Sequence, residues 1–185
     1  EWEWILKEST RKNKPVVKIG LVGKYIDLHD AYLSVREAVH HAALHEGVKL
    51  ELHWIPSQGL ENGENWDELQ SMDGLLVPSG LEASGTEGMI QAAKFARENH
   101  IPFFGICMGM MAMAIEYARN ILQLQDANST EYNMETPHPI FCLPEQHADP
   151  DHYGNGMMRL GLYQERLLPE TKIESFYHTT EIQER

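Results

Sequence analysis

The residues best equipped for chemistry lie in the run Phe103-Phe104-Gly105-Ile106-Cys107-Met108-Gly109. An apolar strand leads into Gly-x-Cys-x-Gly and a helix begins at once. This is the pattern of a nucleophile elbow, in which glycines two residues to either side of the cysteine permit a sharp turn and expose the thiol. A thiol at a helix N-terminus is biased toward thiolate by the dipole. The backbone N–H of Met108 faces the same space and is placed to meet an oxyanion. The competing reading of a lone cysteine is a small buried hydrophobe. That reading suits Cys142, which sits in Ile140-Phe141-Cys142-Leu143 without glycines and is expected to be structural.

A thiol nucleophile needs a base, and the base an orienting group. The chain has ten histidines, and none stands in a diagnostic spacing. His178 and Glu181 form a His-Thr-Thr-Glu run of the kind any neighbouring pair would make. His40 and His41 read as a solvated helix face. His138 and His147 follow no metal-ligand spacing, so no metal site is expected.

The elements around the cysteine follow from the hydrophobic pattern. Val16–Val22 is β-branched and apolar and closes on Gly23, as a buried parallel strand does. Ala31–His45 has a helical pattern, with Asp30 placed as its N-cap. Lys49–Ile55 has strand composition, and Ser57–Asn65 reads as a polar surface loop. Leu75–Val77 is a short buried strand ending at Pro78-Ser79-Gly80. Thr86–Asn99 is a helix, Phe103–Ile106 a strand and Met108–Asn120 a helix, with Met157–Tyr163 the best strand of the remainder. In the helices, Glu87 and Lys94 read as solvated, and the methionines between Met108 and Met113 as packing. The first dozen residues read as the end of a helix or a linker, with Lys12–Pro15 as a breaker. This alternation predicts an α/β fold with a mainly parallel central sheet and helices on both faces.

Composition narrows the function classes. A chain of 185 residues, 42% hydrophobic and 23% charged, suits one α/β domain with a real core. With 15 Lys and Arg against 28 Asp and Glu, its charge of −13 argues against binding nucleic acid or an anionic membrane by bulk attraction. Apolar stretches such as Ile101–Cys107 are far shorter than the ~20 residues that span a bilayer. Two cysteines make no disulfide framework and the start does not look like a signal peptide, so a cytoplasmic setting is expected.

Four further segments extend the pattern around Cys107: Val22-Gly23-Lys24-Tyr25, Asp30-Ala31-Tyr32-Leu33-Ser34-Val35, Asp126-Ala127-Asn128-Ser129-Thr130-Glu131 and Met158-Arg159-Leu160-Gly161. Together with Phe103–Met110 they resemble the glutaminase (class I glutamine amidotransferase) domain of the CTP synthases, from about Val16 to Arg185. The resemblance implies a flavodoxin-like α/β fold and hydrolysis of L-glutamine. Cys107 would attack the side-chain amide, ammonia would leave, and water would hydrolyse the glutamyl thioester. The matching positions make the Gly80 and Met108 amides the oxyanion and substrate contacts. Glu131 would bind the substrate's α-amino group and Arg159 its α-carboxylate, an anion and a cation for a zwitterion. It implies no cofactor in this domain. ATP and Mg²⁺ would belong to a synthetase domain that aminates UTP, the partner of this one, with GTP as effector near the interface.

The same resemblance marks departures. The family's Pro-Gly-Gly-Phe-Gly-x-Arg-Gly loop is here Pro78-Ser79-Gly80-Leu81-Glu82-Ala83-Ser84-Gly85. A Cβ at Ser79 is expected to disturb the oxyanion hole if that position needs close approach or positive φ. The family's glutamine-contacting Gln is Met111, which cannot make an amide's hydrogen bonds; a donor lost from such a site costs about 2.7–4 kcal/mol of barrier. The family's catalytic His and Glu follow an Ile-x-Glu-Arg segment, matched here by Ile182-Gln183-Glu184-Arg185. Residues 1–15 are therefore expected to be a linker from a synthetase domain, and 16–185 a glutaminase domain cut before its base, poor in hydrolysis. The alternatives are a degenerate non-catalytic binding or regulatory module, and a hydrolase or redox thiol on a similar fold.

Overall fold

The computed structural model describes residues 2–80, 83–142 and 161–184. The apolar run that closes on Gly23 forms β1 (Val16–Gly23), whose last four residues are buried. β2 (Lys49–Pro56) pairs with it in parallel along all eight residues, from Val16↔Lys49 to Gly23↔Pro56. β3 (Gly74–Val77) lies on its other side, and β4 (Phe103–Gly105) pairs with β3 from Leu75↔Phe103 to Val77↔Gly105. The order β2-β1-β3-β4 is wholly parallel. All four strands therefore end along one edge of the sheet, the edge where α/β proteins build their sites.

Helices cover both faces, as the alternation predicts. On one face α5 (Thr86–Glu98) and α6 (Met108–Asn120) bury Met89, Ala92, Ala112 and Ile115 against Val22 and Leu75. On the other, α2 (Leu33–His45) sets Val35 and Val39 against Leu21, Leu76 and Tyr32. Two arginines tie the first pair together. Arg97 on α5 donates three bonds of 2.7–3.0 Å to the buried Glu116 carboxylate of α6. Arg119 on α6 reaches back to Glu87 of α5 at 2.7 and 3.0 Å and donates from Nε to the Ala127 carbonyl at 2.7 Å. Glu87 is thus an ion-pair partner as well as a partly solvated position, its side chain 45% exposed.

Two local expectations change. Ser57–Asn65 is not a loop throughout: Ser57–Glu61 forms α3, with Ser57, Gly59 and Leu60 buried. The polar residues that suggested a loop sit at its exposed end, while α5 presses on its start through Gly88. Asp30 caps nothing. It lies in a 3-10 turn (His29–Tyr32) that precedes α2, whose N-cap position is Tyr32. That turn buries Tyr32 with Leu21 and Leu76.

The opening residues form α1 (Trp2–Thr10), which stops ahead of the Lys12–Pro15 run; Arg11 donates to the Gly47 carbonyl beyond α2. The short helix α4 (Trp66–Gln70) leads into β3. Beyond α6, β5 (Ala127–Ser129) and β6 (His138–Phe141) make a separate parallel pair. The chain divides into two compact units, Glu1–Cys142 and Leu143–Arg185. In the second, β7 (Tyr163–Arg166) pairs antiparallel with β8 (Glu181–Glu184) around α7 (Lys172–Tyr177), which Thr171 caps through its hydroxyl. Of the expected strand Met157–Tyr163, residues 157–160 lie outside the described residues and Tyr163 opens β7. Among the described residues no helix is long and apolar enough to cross a membrane.

The contact between α3 and α5 is backbone on backbone, since a Cβ on Gly88 would stand 1.8 Å from the Ser57 carbonyl oxygen. Gly88→Ala should therefore force the two helices apart and cost about 1–3 kcal/mol or more, as overpacking does. Urea unfolding at matched m-values checks this; a midpoint equal to that of the parent chain would show that the helices separate freely.

Candidate active site

Cys107 stands between the end of β4 and the first turn of α6 with φ 54° and ψ −107°. A non-glycine backbone in the left-handed region is held at a cost of about 1–3 kcal/mol, which surrounding structure must impose. What imposes it is visible in the two flanking glycines. A Cβ on Gly105 would lie 2.4 Å from the Gly109 carbonyl carbon, and one on Gly109 would lie 2.0 Å from the Val77 carbonyl oxygen. Neither glycine takes positive φ. The glycines are needed for close approach of α6 to β3 and β4, and the cysteine itself makes the left-handed turn that the sequence pattern assigned to them. Ile106 N–H donates to the Val77 carbonyl at 2.9 Å and fixes the strand side of the elbow.

The result is an exposed thiol at the helix N-terminus. The Met108 N–H belongs to the first helical residue, one of the positions that an α-helix leaves without an internal partner. Its side chain is 1% exposed and anchors the turn, whereas Met110 and Met113 are 47% and 41% exposed. The methionine run is thus packing at Met108 and in part at Met111, while Met110 and Met113 face outward. Cys142 is exposed just past β6 rather than packed.

The loops after β1 and β3 are tied to each other beside the elbow's strand. After β1, Lys24 N–H and Tyr25 N–H donate to the Tyr32 hydroxyl at 3.2 and 3.4 Å. That hydroxyl donates in turn to the Ser79 carbonyl, beyond β3, at 3.2 Å. Burial raises the Tyr32 phenol above its ordinary range, against the lowering effect of the two amides, so its proton stays in place to be donated. Lys24 Nζ donates to the buried Thr86 hydroxyl at 3.1 Å, and its stem runs so close to Gly80 that a Cβ there would sit 2.8 Å from Lys24 Cδ. The Lys24 ammonium also lies 5.8 Å from the centroid of the Tyr132 ring, within range of a cation–π contact.

Tyr132 connects the two ends of the site. Its own burial pushes its hydroxyl up to about 12, with further contributions from the Glu131 carboxylate and then from Cys107. Cys107 and Glu131 thus both act electrostatically on one phenol, although 24 positions separate them in the chain. Glu131 is exposed, on a turn set by Glu131 N–H donating to Ser129 Oγ at 3.2 Å and Thr130 N–H to the Phe141 carbonyl at 2.9 Å. Arg159, Leu81 and His147 lie outside the described residues. Among the described residues, the histidine rings that pair with carboxylates are His45 with Glu46 and His53 with Glu68, and none bonds the Cys107 thiol. His40 and His41 are exposed, and His178 ends α7 in the left-handed region. No group of three or more His, Cys, Asp or Glu among these residues is arranged to hold a metal.

The departures fall mildly on the geometry. Ser79 is exposed with no positive φ, so its Cβ brings no backbone strain. Ser84 donates to the Gln58 side chain, and the Gly85 N–H to Glu61 at 3.0 Å, which holds the loop before α5 on α3. Met111 is half-buried on α6. Sequence reasoning missed Tyr32, Lys24 and Tyr132 as site residues; the one available signal was Gly23 directly after an apolar strand, since glycine there makes room for the Tyr32 ring.

The family model of class-I glutamine amidotransferases matches residues 27–185. The chain is 45% identical to the CTP synthase of Ruminiclostridium cellulolyticum over 185 residues, which is all of this chain and 34% of that protein. It is 48% identical to the CTP synthase of Methanopyrus kandleri over 148 residues, 78% of this chain and 27% of that one. The chain spans about a third of the length of the curated relatives it matches. The solved glutaminase domain of Trypanosoma brucei CTPS with bound acivicin superimposes with a TM-score of 0.79 at 34% identity, covering 91% of this chain and 65% of that one.

Because the folded chain holds the Tyr132 proton more tightly than the unfolded chain, stability should fall as pH rises from about 10 to about 12, the interval between the two affinities. Tyr132→Phe should flatten that part of the pH–stability curve, measured by urea unfolding between pH 9 and 12. An unaltered slope would mean that the phenol is not held in the way described.

Proposed function

Because the chain belongs to the class-I glutamine amidotransferase family, we propose that it hydrolyses L-glutamine on Cys107, as the ammonia-producing part of a CTP synthase-like protein. The Cys107 sulfur attacks the side-chain amide carbon, and the carbonyl oxygen takes up the negative charge. The Gly80 and Met108 N–H groups stabilise that oxyanion, the amide nitrogen leaves as ammonia, and water then attacks the thioester carbon to release glutamate. Glu131 holds the α-ammonium of the substrate and Arg159 its α-carboxylate.

The observation that carries this reading is the left-handed Cys107 backbone, driven by two glycine contacts at a helix N-terminus. Such strain clusters at functional sites, and here it holds an exposed thiol where a nucleophile is needed. The electrostatic influence of both Cys107 and Glu131 on Tyr132 adds support, because a glutamine bound by its head must reach the thiol with its tail.

In the whole protein the ammonia would pass to a synthetase domain that activates UTP with ATP and Mg²⁺, and GTP would act as effector; the residues for those ligands would come from that domain and its interface. A cytoplasmic setting fits the two unpaired cysteines.

A glutamine analogue with an electrophilic carbon in place of the amide tests the site, since labelling needs only a thiolate and a formed pocket. It should modify Cys107 and not Cys142, glutamine should protect, and Cys107→Ala should abolish labelling. Glu131→Gln should slow labelling about 10–100-fold, the value of one charge-assisted contact. Equal modification of both cysteines without protection by glutamine would sink the proposal.

A further inference from the structure

We infer that Tyr32 is a positioning residue for the oxyanion hole: its hydroxyl holds the Ser79–Gly80 peptide so that the Gly80 N–H is presented to the Cys107 side. The inference rests on the glutaminase reading and adds to it the device that keeps one donor in place. A short loop after a strand leaves its peptide planes free to rotate, and a flipped plane replaces a donor with a carbonyl oxygen. Such a plane is held if one of its two polar groups is bound to something rigid.

The Tyr32 hydroxyl is that partner. It is 3% exposed, accepts from two amides of the loop after β1 and donates to the Ser79 carbonyl at 3.2 Å. With two bonds accepted and one donated, its capacity is used in full. The Ser79–Gly80 peptide is trans, so the Ser79 C=O and the Gly80 N–H point in opposite directions in one plane. β3 lies between β1 and β4 in the sheet. A carbonyl drawn toward the loop of β1 therefore turns the amide toward the end of β4, where Cys107 stands.

The ring itself is seated by Gly23. A Cβ at that position would lie 2.8 Å from Tyr32 Cε2 and 3.0 Å from its hydroxyl oxygen. The glycine that closes β1 and the tyrosine that opens α2 are thus two parts of one support. The support acts from the opposite side of β3 to the thiol, touches neither sulfur nor substrate, and leaves Ser79 free to carry a side chain.

The test compares the parent chain with Tyr32→Phe, which keeps the ring and removes the hydroxyl, and with Gly23→Ala, which crowds the ring. The probe is the aldehyde analogue of glutamine, which adds to the Cys107 thiol to form a hemithioacetal whose oxygen occupies the oxyanion position; glutamine itself reports binding of the head. Both variants should bind the aldehyde at least about 10-fold more weakly, toward the 10²–10³ of a whole lost donor, with glutamine affinity within 3-fold. Equal losses for both ligands, or no loss, would overturn the positioning role. Residual dipolar couplings of the ¹⁵N-labelled Gly80 amide in the unliganded chain decide separately: its N–H vector should reorient in Tyr32→Phe, and an unchanged vector would overturn the inference. Aldehyde binding by the parent chain that survives Cys107→Ala would instead defeat the glutaminase reading, with the couplings still deciding the role of Tyr32.

Discussion

The arrangement depends on a place where two backbones touch with no side chain between them. Gly109, one residue into α6, lies against the Val77 carbonyl at the end of β3, and Gly105 lies against Gly109. Any Cβ at either position would push the helix off the sheet. With the helix seated that closely, the connection from β4 has only Ile106 and Cys107 in which to reverse, and Cys107 takes the left-handed conformation because its neighbours leave no other path. Thiol exposure, helix dipole and the Met108 amide all follow from that one contact.

A contact made by absence needs to be pressed together from elsewhere. The small residues Ala92, Ala96 and Ala112 bring α5 and α6 close, and the Arg97–Glu116 and Arg119–Glu87 pairs fix their relative slide. Arg119 has the wider reach, because its Nε bond to Ala127 links α6 to the strand that leads to Glu131. The nucleophile and the carboxylate proposed for the substrate's head are thereby referred to the same helix. A charged residue in a half-buried setting normally needs a full set of partners, and Arg119 finds its set in the two elements that the site requires to be held in register.

The strands β1 to β4 and the helices α2, α5 and α6 were legible because each is an unbroken apolar or amphipathic run between breakers. The elbow was legible for the same reason: Gly-x-Cys-x-Gly after Phe103-Phe104 allows few backbones. What escaped notice was whatever depends on a partner far along the chain. Ser57–Glu61 looks polar because its burial comes from Leu60 and from a glycine on α5. Asp30 looks like a cap because nothing local shows that Tyr32 must turn inward to meet Ser79, 47 positions on. Glu87 looks solvated because its arginine lies 32 positions away. In the elbow the sharp turn was legible, but not that the glycines permit it by close approach while the cysteine takes the positive φ, since both demands leave the same glycines in a sequence.

The elbow's contact has a consequence for how such a domain drifts. Where atoms are excluded, substitution is barred outright; where atoms merely fill space, substitution is negotiated. Gly105 and Gly109 belong to the first kind, and around them the chain has been free to write Ser79, Ser84 and Met111. Substitution around the thiol is therefore tolerated wherever it leaves those two backbone contacts closed, and the cysteine's posture depends on the contacts and not on the side chains that surround it.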